Sequence, residues 1–354
     1  MLLAIDLVML LEKAVLILII ISLSLFIAMY ETYAERKVAA FMQDRRGPSR
    51  AGPGGILQPL ADGLKLFMKE EIIPSSSNRF LFILGPGLAM LTAMMTSAVV
   101  PWSSHFDLFH RTVSVQVADI NIGLLYIFGV VSMGVYGIMI GGWASNNKFS
   151  LMAAIRGASQ IISYELAMGL SIIALLMITG SLSLKTIVEQ QQTGHYYFFL
   201  QPLGFLIFLV CAFAECNRTP FDLSEAENEL NFGYHQEYSS MKLGFYLFAE
   251  YINMFISSAV MATLYWGGYD IPFVNDATLG AHIGQNPLAI LQALSLFVKV
   301  VVFIFFFMWV RWTIPRFRYD QLMNLGWKVL IPLAILNMLA TGFVVLLQDH
   351  HWHF

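Results

Sequence analysis

Charged residues are scarce in this chain of 354 residues: they make up 12% of it, whereas a soluble domain usually carries about 25%. Hydrophobic residues make up 58%. Several continuous apolar runs reach the roughly 20 residues with which a helix crosses about 30 Å of hydrocarbon. Strands of a membrane barrel would instead alternate over short segments. The composition therefore predicts an all-α integral membrane protein.

The sequence also has few of the groups that carry redox or nucleotide chemistry. Its two cysteines, Cys211 and Cys216, are five residues apart, which fits no zinc or redox spacing, so both are interpreted as packing residues. It has no Walker-type phosphate loop, GxGxxG, nucleophile elbow, HExxH or cysteine set for an iron–sulfur cluster. We therefore expect no metal, flavin or nucleotide on this chain, and no nucleic-acid partner.

No repeat, low-complexity segment or long linker divides the chain, so residues 1–354 are predicted to form a single polytopic membrane domain. Eight spanning helices are expected, at residues 10–33, 79–101, 119–143, 153–180, 198–216, 241–267, 287–311 and 328–348. The first is too long for the core of a signal peptide and is not followed by a small-residue cleavage site. We expect it to be retained as a helix of the protein.

Lysine and arginine are distributed unequally between the two sides. The loops after spans one, three, five and seven, with their helix edges, hold 16 of the 20 cationic residues, and the other loops hold only Arg111 and Lys185. Because cytoplasmic loops carry the excess of positive charge, the loops at about 34–78, 144–152, 217–240 and 312–327 are predicted to be cytoplasmic. The pattern indicates a multi-pass protein of the bacterial cytoplasmic (inner) membrane with both termini on the periplasmic side.

The first of these loops contains a second helical run, over residues 56–70, after a break rich in glycine and proline. Its leucines recur every three or four residues, which is typical of an amphipathic helix lying at the membrane surface. Asp62 and Lys65 are three residues apart and can pair on another face of this helix. The alternative is that the helix only anchors the loop.

The most unusual stretch is residues 213–238, FAECNRTPFDLSEAENELNFGYHQEY, with apolar runs of spanning length on both sides. Its carboxylates belong to Glu215, Asp222, Glu225, Glu227, Glu229 and Glu237. Acidic groups near bilayer depth are costly unless they are paired, hydrated or used, so they indicate a functional site. Arg218, three residues after Glu215, is predicted to pair with it. The alternative is that these acids only bind basic surfaces of a partner.

Three further charged residues are predicted to lie inside spans. Glu165 and Glu250 fall in the fourth and sixth spans. Intramembrane carboxylates commonly serve proton relays, although a structural hydrogen-bonding role is the alternative. Lys299 lies far from either end of the seventh span, and we expect it to face a helix partner or a polar cavity rather than the surface.

Four long segments together resemble one known family. They are residues 34–70 (beginning AERKVAAFMQDRRGPSR), 142–165, 214–230 with 237–251, and 311–332 (beginning RWTIPRFRYDQLMN). In this order they resemble the membrane subunit of respiratory complex I, NADH:quinone oxidoreductase, that abuts the peripheral arm and completes the quinone site. That subunit is called H in bacteria and 1 in mitochondria.

The resemblance implies eight transmembrane helices in a tilted bundle that encloses a quinone chamber, with an amphipathic helix on the cytoplasmic side. It implies a subunit that couples quinone reduction to proton translocation, with ubiquinone or menaquinone as substrate. The expected partners are the peripheral-arm subunits of the quinone site, the small membrane-arm subunits and the lipid membrane. FMN and iron–sulfur clusters are expected in partner subunits.

The resemblance also assigns roles to particular residues. Those expected to line the quinone chamber and its entrance are Arg36, Arg45, Arg46, Asp62, Lys65, Glu215, Arg218 and Asp222. Those expected on a proton path are Glu225, Glu227, Glu229, Tyr164, Glu165, Glu237 and Glu250. Crowded carboxylates in a low dielectric cannot all ionise, so charge in the chamber would shift protons along them.

Two other functions remain open at this point. A membrane anchor subunit of an energy-converting hydrogenase would dock a similar peripheral arm without using quinone. An independent ion transporter would have inverted repeats and broken helices at matching positions of two halves, and the sequence has no visible repeat.

Overall fold

The computed structural model describes residues 7–108, 111–225, 227–274 and 276–351. The helices are α1 (Leu7–Met42), α2 (Gln58–Met68), α3 (Arg79–Thr96), α4 (Gly123–Ala144), α5 (Lys148–Thr179), α6 (Leu184–Thr193), α7 (Tyr197–Leu200), α8 (Pro202–Glu215), α9 (Glu227–Leu230), α10 (Ser240–Tyr265), α11 (Asp276–Ile283), α12 (Gln285–Thr313), α13 (Tyr319–Asn324) and α14 (Ile331–His351). Short 3₁₀ turns lie at Pro53–Gly55, Ser97–Val99 and Gly233–His235, and a π-helical turn, Leu325–Leu330, joins α13 to α14. The all-α membrane architecture is confirmed.

Seven of the eight predicted spans lie on helices that are long and apolar enough to cross a membrane. The prediction was wrong in detail for the fifth, residues 198–216. That stretch forms α7 and then α8, which has only 14 residues and is about 21 Å long at 1.5 Å per residue. Gln201 separates the two helices. Pro202 lacks a backbone N–H and is suited to the first turn of a helix, so it starts a new helix there.

A small hairpin interrupts the helical architecture between α3 and α4. Strands β1 (Phe106–Leu108) and β2 (Arg111–Val113) pair antiparallel, with Phe106 opposite Val113. The sequence analysis did not predict this hairpin. It lies in a connection between two spans, where backbone outside a helix can find partners other than lipid.

Local sequence sets several helix ends. The Asn147 side chain accepts a hydrogen bond from the Phe149 amide at 2.9 Å, which caps the start of α5. Gly180 follows α5 in the left-handed conformation, with φ 63°, as is common after helices. In the turn after α1, Gly55 has φ 84°, and a Cβ at this position would overlap the Pro48 carbonyl. Only glycine fits there without strain.

Helix α10 lies at the centre of the bundle and is the most buried of the spanning helices. It packs against α1, α3 and α12, while α5 packs against α4, α8 and α14. Cys211 and Cys216 are both buried and belong to the hydrophobic core. The interpretation of the cysteines as packing residues agrees with this position.

Helix α2 lies within the predicted amphipathic run. Apolar side chains along it, those of Leu60, Leu64 and Phe67, are exposed, which suits a helix resting on lipid. It is attached to the bundle because the Ser240 hydroxyl donates to the Leu66 carbonyl at 3.1 Å. This contact holds α2 beside the start of α10.

Candidate functional site

A buried cluster of charges joins four separate parts of the chain at one end of α1. The Glu35 carboxylate on α1 lies 2.5 Å from the Arg311 guanidinium of α12 and 3.6 Å from that of Arg218. The Tyr251 hydroxyl of α10 donates to Glu35 at 2.8 Å. The Arg218 guanidinium also lies over the Tyr251 ring, 4.1 Å from its centroid. Arg218 is therefore held by α1 and α10.

The predicted pairing of Arg218 with Glu215 is wrong. Arg218 follows the end of α8 in a loop that runs back toward α1, so Glu35 becomes its nearest acid. The Glu215 side chain is partly buried, and its Oε1, which is shielded from solvent, makes no hydrogen bond to any described residue. The spacing of three residues that suggests this pair applies only within a helix, and the helix ends at Glu215.

Glu31 lies one helical turn before Glu35 and was missed by the sequence analysis. It is 4% exposed, and within the described residues neither of its carboxylate oxygens has a hydrogen-bond partner. The available signal was the spacing of Glu31 and Glu35, which puts two acids on one face of a spanning helix. The analysis interpreted that segment only as an extension of the first helix.

A cavity of about 380 Å³ opens beside this cluster, between α1, α2 and α10. Its polar wall is formed by Glu35, Arg36, Asp62, Lys65 and Tyr251, and the rest is largely apolar. Asp62 pairs with Arg36 of α1 at 2.7 Å instead of with Lys65, as the helix spacing had suggested. The structure thus brings together three of the five residues predicted for the chamber entrance.

The other two predicted entrance residues, Arg45 and Arg46, are elsewhere. Both are exposed after the end of α1. The Arg45 Nε donates to the Gln43 side chain at 2.6 Å, and Arg45 lines a separate surface groove between α1 and α12. Neither residue lines the cavity beside α2.

Asp222 lies in the loop after α8 and is 4% exposed. Its carboxylate is 2.8 Å from the guanidinium of Arg316, which precedes α13. Burial raises the pKa of Asp222, Glu225 raises it further, and the nearby arginines oppose the shift, leaving the pKa at about 7. Asp222 can therefore exchange a proton near neutral pH.

A second cluster follows in the chain. Glu225, His235 and Glu250 each offer one oxygen or nitrogen atom within 4.8 Å of the other two. The Tyr234 hydroxyl donates to the Glu250 carboxylate at 3.1 Å. Burial lowers the pKa of the His235 imidazole to about 4, although Glu225 acts in the opposite direction. The imidazole is therefore neutral at pH 7, and the sequence analysis had assigned it no role.

The acids further into the bundle are connected by small cavities. A cavity of about 40 Å³ is lined by both Glu215 and Glu250, together with Asn217 and Tyr234. This volume is enough for a water molecule. Glu215, predicted for the chamber, and Glu250, predicted for the proton path, therefore share one polar space.

The remaining predicted proton-path residues have other environments. The Ser132 hydroxyl of α4 donates to Glu165 on α5. The Tyr164 hydroxyl donates to the Leu322 carbonyl at 2.9 Å, so this side chain holds α5 against α13. Glu237 accepts from the Asn147 side chain at 2.8 Å.

Two predicted acids lie at or beyond the edge of the site. Glu229 pairs with Arg156 at 2.8 Å on the surface, where its side chain is 52% exposed. Glu227 begins α9, and its side chain lies outside the described part of the structure. The sequence grouped all the acids of this loop, whereas the fold separates the surface pair from the buried ones.

Lys299 on α12 faces a helix partner, as expected. Its ammonium group donates to the carbonyls of Trp266, Gly268 and Asp270 at 2.8, 2.9 and 2.7 Å. These carbonyls follow the end of α10, whose last carbonyl groups have no partner within the helix. Lys299 therefore caps the turn that follows α10.

With this geometry defined, the chain was compared with known proteins. The model of the family described as NADH dehydrogenase matches residues 14–342. The chain belongs to the NADH dehydrogenase family. The match covers all the residues of the buried charge cluster and of the cavity beside it. It confirms the resemblance to the membrane subunit of complex I that completes the quinone site.

Relatives of this family are similar over almost the whole chain. The NADH-quinone oxidoreductase subunit named H 1 in Cytophaga hutchinsonii is 67% identical over 96% of this chain and 98% of its own length. The one named H in Flavobacterium johnsoniae is 63% identical over 96% of each chain. The one named H 1 in Geobacter metallireducens is 45% identical over 98% of this chain and 99% of its own. These names do not favour the hydrogenase-anchor or transporter alternatives.

Proposed function

We propose that this chain is the quinone-chamber subunit of a proton-translocating NADH-quinone oxidoreductase. The observation that carries the proposal is the position of Glu35: it lines the cavity beside α2 and is bound to Arg218 of the acidic loop. A ligand in that cavity would lie within one ion pair of the buried acids. Charge that develops on the ligand can thus act on them directly.

The cavity has the shape and polarity that a quinone needs. One wall is apolar, with Leu247, Phe248 and Trp312, and the other holds the charged pair Arg36–Asp62. Ligand sites typically combine an apolar lining with a few placed polar groups. We infer that the isoprenoid tail lies along the apolar wall and that the head group, ubiquinone or menaquinone, passes the charged one.

Quinone reduction consumes two electrons and two protons, so it changes the charge next to Glu35. This chain supplies the electrostatic response. Arg218 and Arg311 hold Glu35 ionised, while the buried acids beyond them exchange protons. We infer a path from Asp222 through Glu225 and Glu250 to Glu215 and Glu165, since carboxylates so close to one another titrate as a coupled set.

The electrons and the second half of the chamber come from partners. FMN and iron–sulfur clusters belong, in this proposal, to peripheral-arm subunits that bind the face bearing α2 and the acidic loop. Small membrane-arm subunits and lipid cover the apolar sides. The proposed location is the bacterial inner membrane, with this face cytoplasmic and both termini periplasmic because of the lysine and arginine bias.

The proposal is tested by NADH:quinone reductase activity in native membranes. We expect Asp62→Ala and Arg218→Ala to lose most of this activity and to keep NADH:ferricyanide activity, which needs only the peripheral arm. Arg156→Ala, which removes a surface pair, is the matched control and should keep both. Unchanged quinone reduction in Asp62→Ala and Arg218→Ala would contradict the chamber.

Proton coupling is measured separately in the same membranes. We expect Glu250→Gln to lower the number of protons moved per quinone reduced, because a neutral amide cannot pass a proton along. Glu229→Gln is the control, since its side chain is at the surface. Full pumping in the Glu250→Gln enzyme would remove Glu250 from the path.

A further inference from the structure

We infer that Glu225, His235 and Glu250 form a binding site for a divalent cation of the zinc class. One ligand atom from each residue lies within 4.8 Å of the other two. Zinc ligands at about 2.0–2.2 Å from the metal lie about 3.5 Å from one another. The three side chains would need to close by roughly 1 Å to hold the ion, a distance that side-chain rotation can provide.

His235 is the observation that separates this cluster from an ordinary group of acids. Its side chain is 0% exposed, and its Nδ1 lies 3.5 Å from a Glu225 oxygen. Within the described residues, neither ring nitrogen makes a hydrogen bond. A buried polar group usually has a partner, because leaving it without one costs about 1–3 kcal/mol. A metal ion would provide that partner.

The ligand set selects among metals. One imidazole nitrogen and two carboxylate oxygens suit Zn²⁺, which takes four ligands and binds both types. Calcium needs six to eight oxygens, and these three residues supply too few. Glu225 is partly exposed, with 17% of its side chain accessible, so an ion can reach the cluster from the surface of the loop.

The three ligands belong to three different segments, so a bound ion would fasten the acidic loop to α10. Glu225 precedes α9, His235 ends a 3₁₀ turn, and Glu250 is on α10. The ion would also compete with the hydrogen bond from Tyr234 to Glu250. Its effect on turnover rests on the proposed function, because it would block a proton path through Glu250. The binding itself does not depend on that function.

The test measures zinc retained by the purified whole complex after incubation with Zn²⁺ and removal of free ion. His235→Gln keeps a side chain of similar polarity but removes the imidazole, and it should retain about one zinc fewer than wild type. His195→Gln is the matched control, since His195 is exposed and far along the chain from the cluster. It should retain as much as wild type. Equal retention in the His235→Gln complex would overturn the proposal.

A second variant keeps the proposal testable if His235→Gln fails to assemble. His235→Cys preserves a zinc ligand but replaces nitrogen by sulfur. X-ray absorption at the zinc edge should then report one Zn–S distance of about 2.3 Å that the wild type lacks. A zinc spectrum without sulfur in His235→Cys would place the ion elsewhere.

Activity separates the site from the proposed function. Zinc that is retained through His235 and slows quinone reduction, but not ferricyanide reduction, supports both. Zinc that is retained through His235 without slowing quinone reduction supports the site and contradicts the proton path through Glu250.

Discussion

Two arginines of the chain form ion pairs with acids in opposite environments. Arg218 is 6% exposed and is paired with the buried Glu35, whereas Arg156 and Glu229 meet at the surface. Removing one partner of a buried pair costs about 3–5 kcal/mol, because the other charge is left in a low dielectric. An exposed pair contributes only about 0–1 kcal/mol.

We therefore expect Arg218→Gln to destabilise the chain by about 3–5 kcal/mol and Arg156→Gln by less than about 1 kcal/mol. The measurement is the temperature at which half of the chain leaves the assembled complex on native gels. Equal temperatures for the two variants would show that Glu35 and Glu31 tolerate the loss of Arg218.

Asp222 provides a dependence on pH. Its pKa of about 7 is above the value of about 3.9 in an unfolded chain. The stability that this difference provides is complete below about pH 3.9 and is lost as pH rises through about 7. Asparagine has no proton to lose, so the Asp222→Asn chain should gain thermal stability relative to wild type between about pH 5 and about pH 8.

The expected gain is measured as the difference in melting temperature between the variant and the wild-type complex across that pH range. The lost charge pair with Arg316 adds a constant offset and leaves the slope unaffected. A difference that stays constant, or falls, with rising pH would contradict the raised pKa.

At the scale of residues, the sequence predicted much of which groups would matter and little of who pairs with whom. Asp222, Glu225 and Glu250 were identified because carboxylates are rare among apolar runs. The partner of Arg218 was not, because Glu35 is 183 positions away and nothing local indicates that contact. His235 was missed since a single histidine carries no pattern until the fold places two acids beside it.

Helices α3 and α4 approach closely where glycines face each other. A Cβ at Gly141 would overlap the Tyr246 hydroxyl and would lie 3.0 Å from that of Tyr238. Gly129 is on the same helix, and a Cβ there would meet nothing within 4 Å. We expect Gly141→Ala to destabilise the bundle by about 1–3 kcal/mol through overpacking.

Gly129→Ala should be neutral or stabilising by about 0.5–1 kcal/mol, since alanine favours helix over glycine. The two variants can be compared by the yield of folded chain from membranes and by its melting temperature. The close approach of α3 and α4 would be disproved if Gly141→Ala behaved like Gly129→Ala.

Lys299 has a structural assignment that can be separated from a role in proton transfer. Lys299→Met removes the donor to three buried carbonyls, and each unsatisfied group costs about 1–3 kcal/mol. We expect lower thermal stability with an unchanged number of protons moved per quinone reduced. A stable variant with altered pumping would reverse the assignment.

At the scale of elements, hydrophobic runs predicted the spanning helices well, because burial in lipid demands about 20 apolar residues. The fifth run was misjudged since hydrophobicity counts Tyr197–Leu200 and α8 together, whereas backbone geometry separates them at Pro202. The hairpin of β1 and β2 could not be predicted, because three-residue strands leave too short a pattern to detect.

The whole molecule is organised around the cavity between α1, α2 and α10. Gly63 lies on its wall, and a Cβ there would meet nothing within 4 Å. Gly63→Phe should therefore fold and project into the open space. We expect the KM for quinone to rise at least about tenfold, equal to about 1.4 kcal/mol of lost binding.

Gly169→Phe on α5 is the control, since a Cβ at Gly169 also meets nothing within 4 Å and the residue is not part of the cavity wall. Quinone reductase titrations at fixed NADH provide the comparison. A normal KM in the Gly63→Phe enzyme would mean that the quinone takes another route.

Glu35, Arg218, Tyr251 and Arg311 form one set of contacts from four distant parts of the chain. A neutral residue at position 35 alone would leave two guanidinium groups facing each other in a buried place, and a neutral residue at 218 alone would weaken what holds Glu35. Selection should therefore act on the set rather than on its members. Among distant relatives, these four positions are expected to change together or not at all.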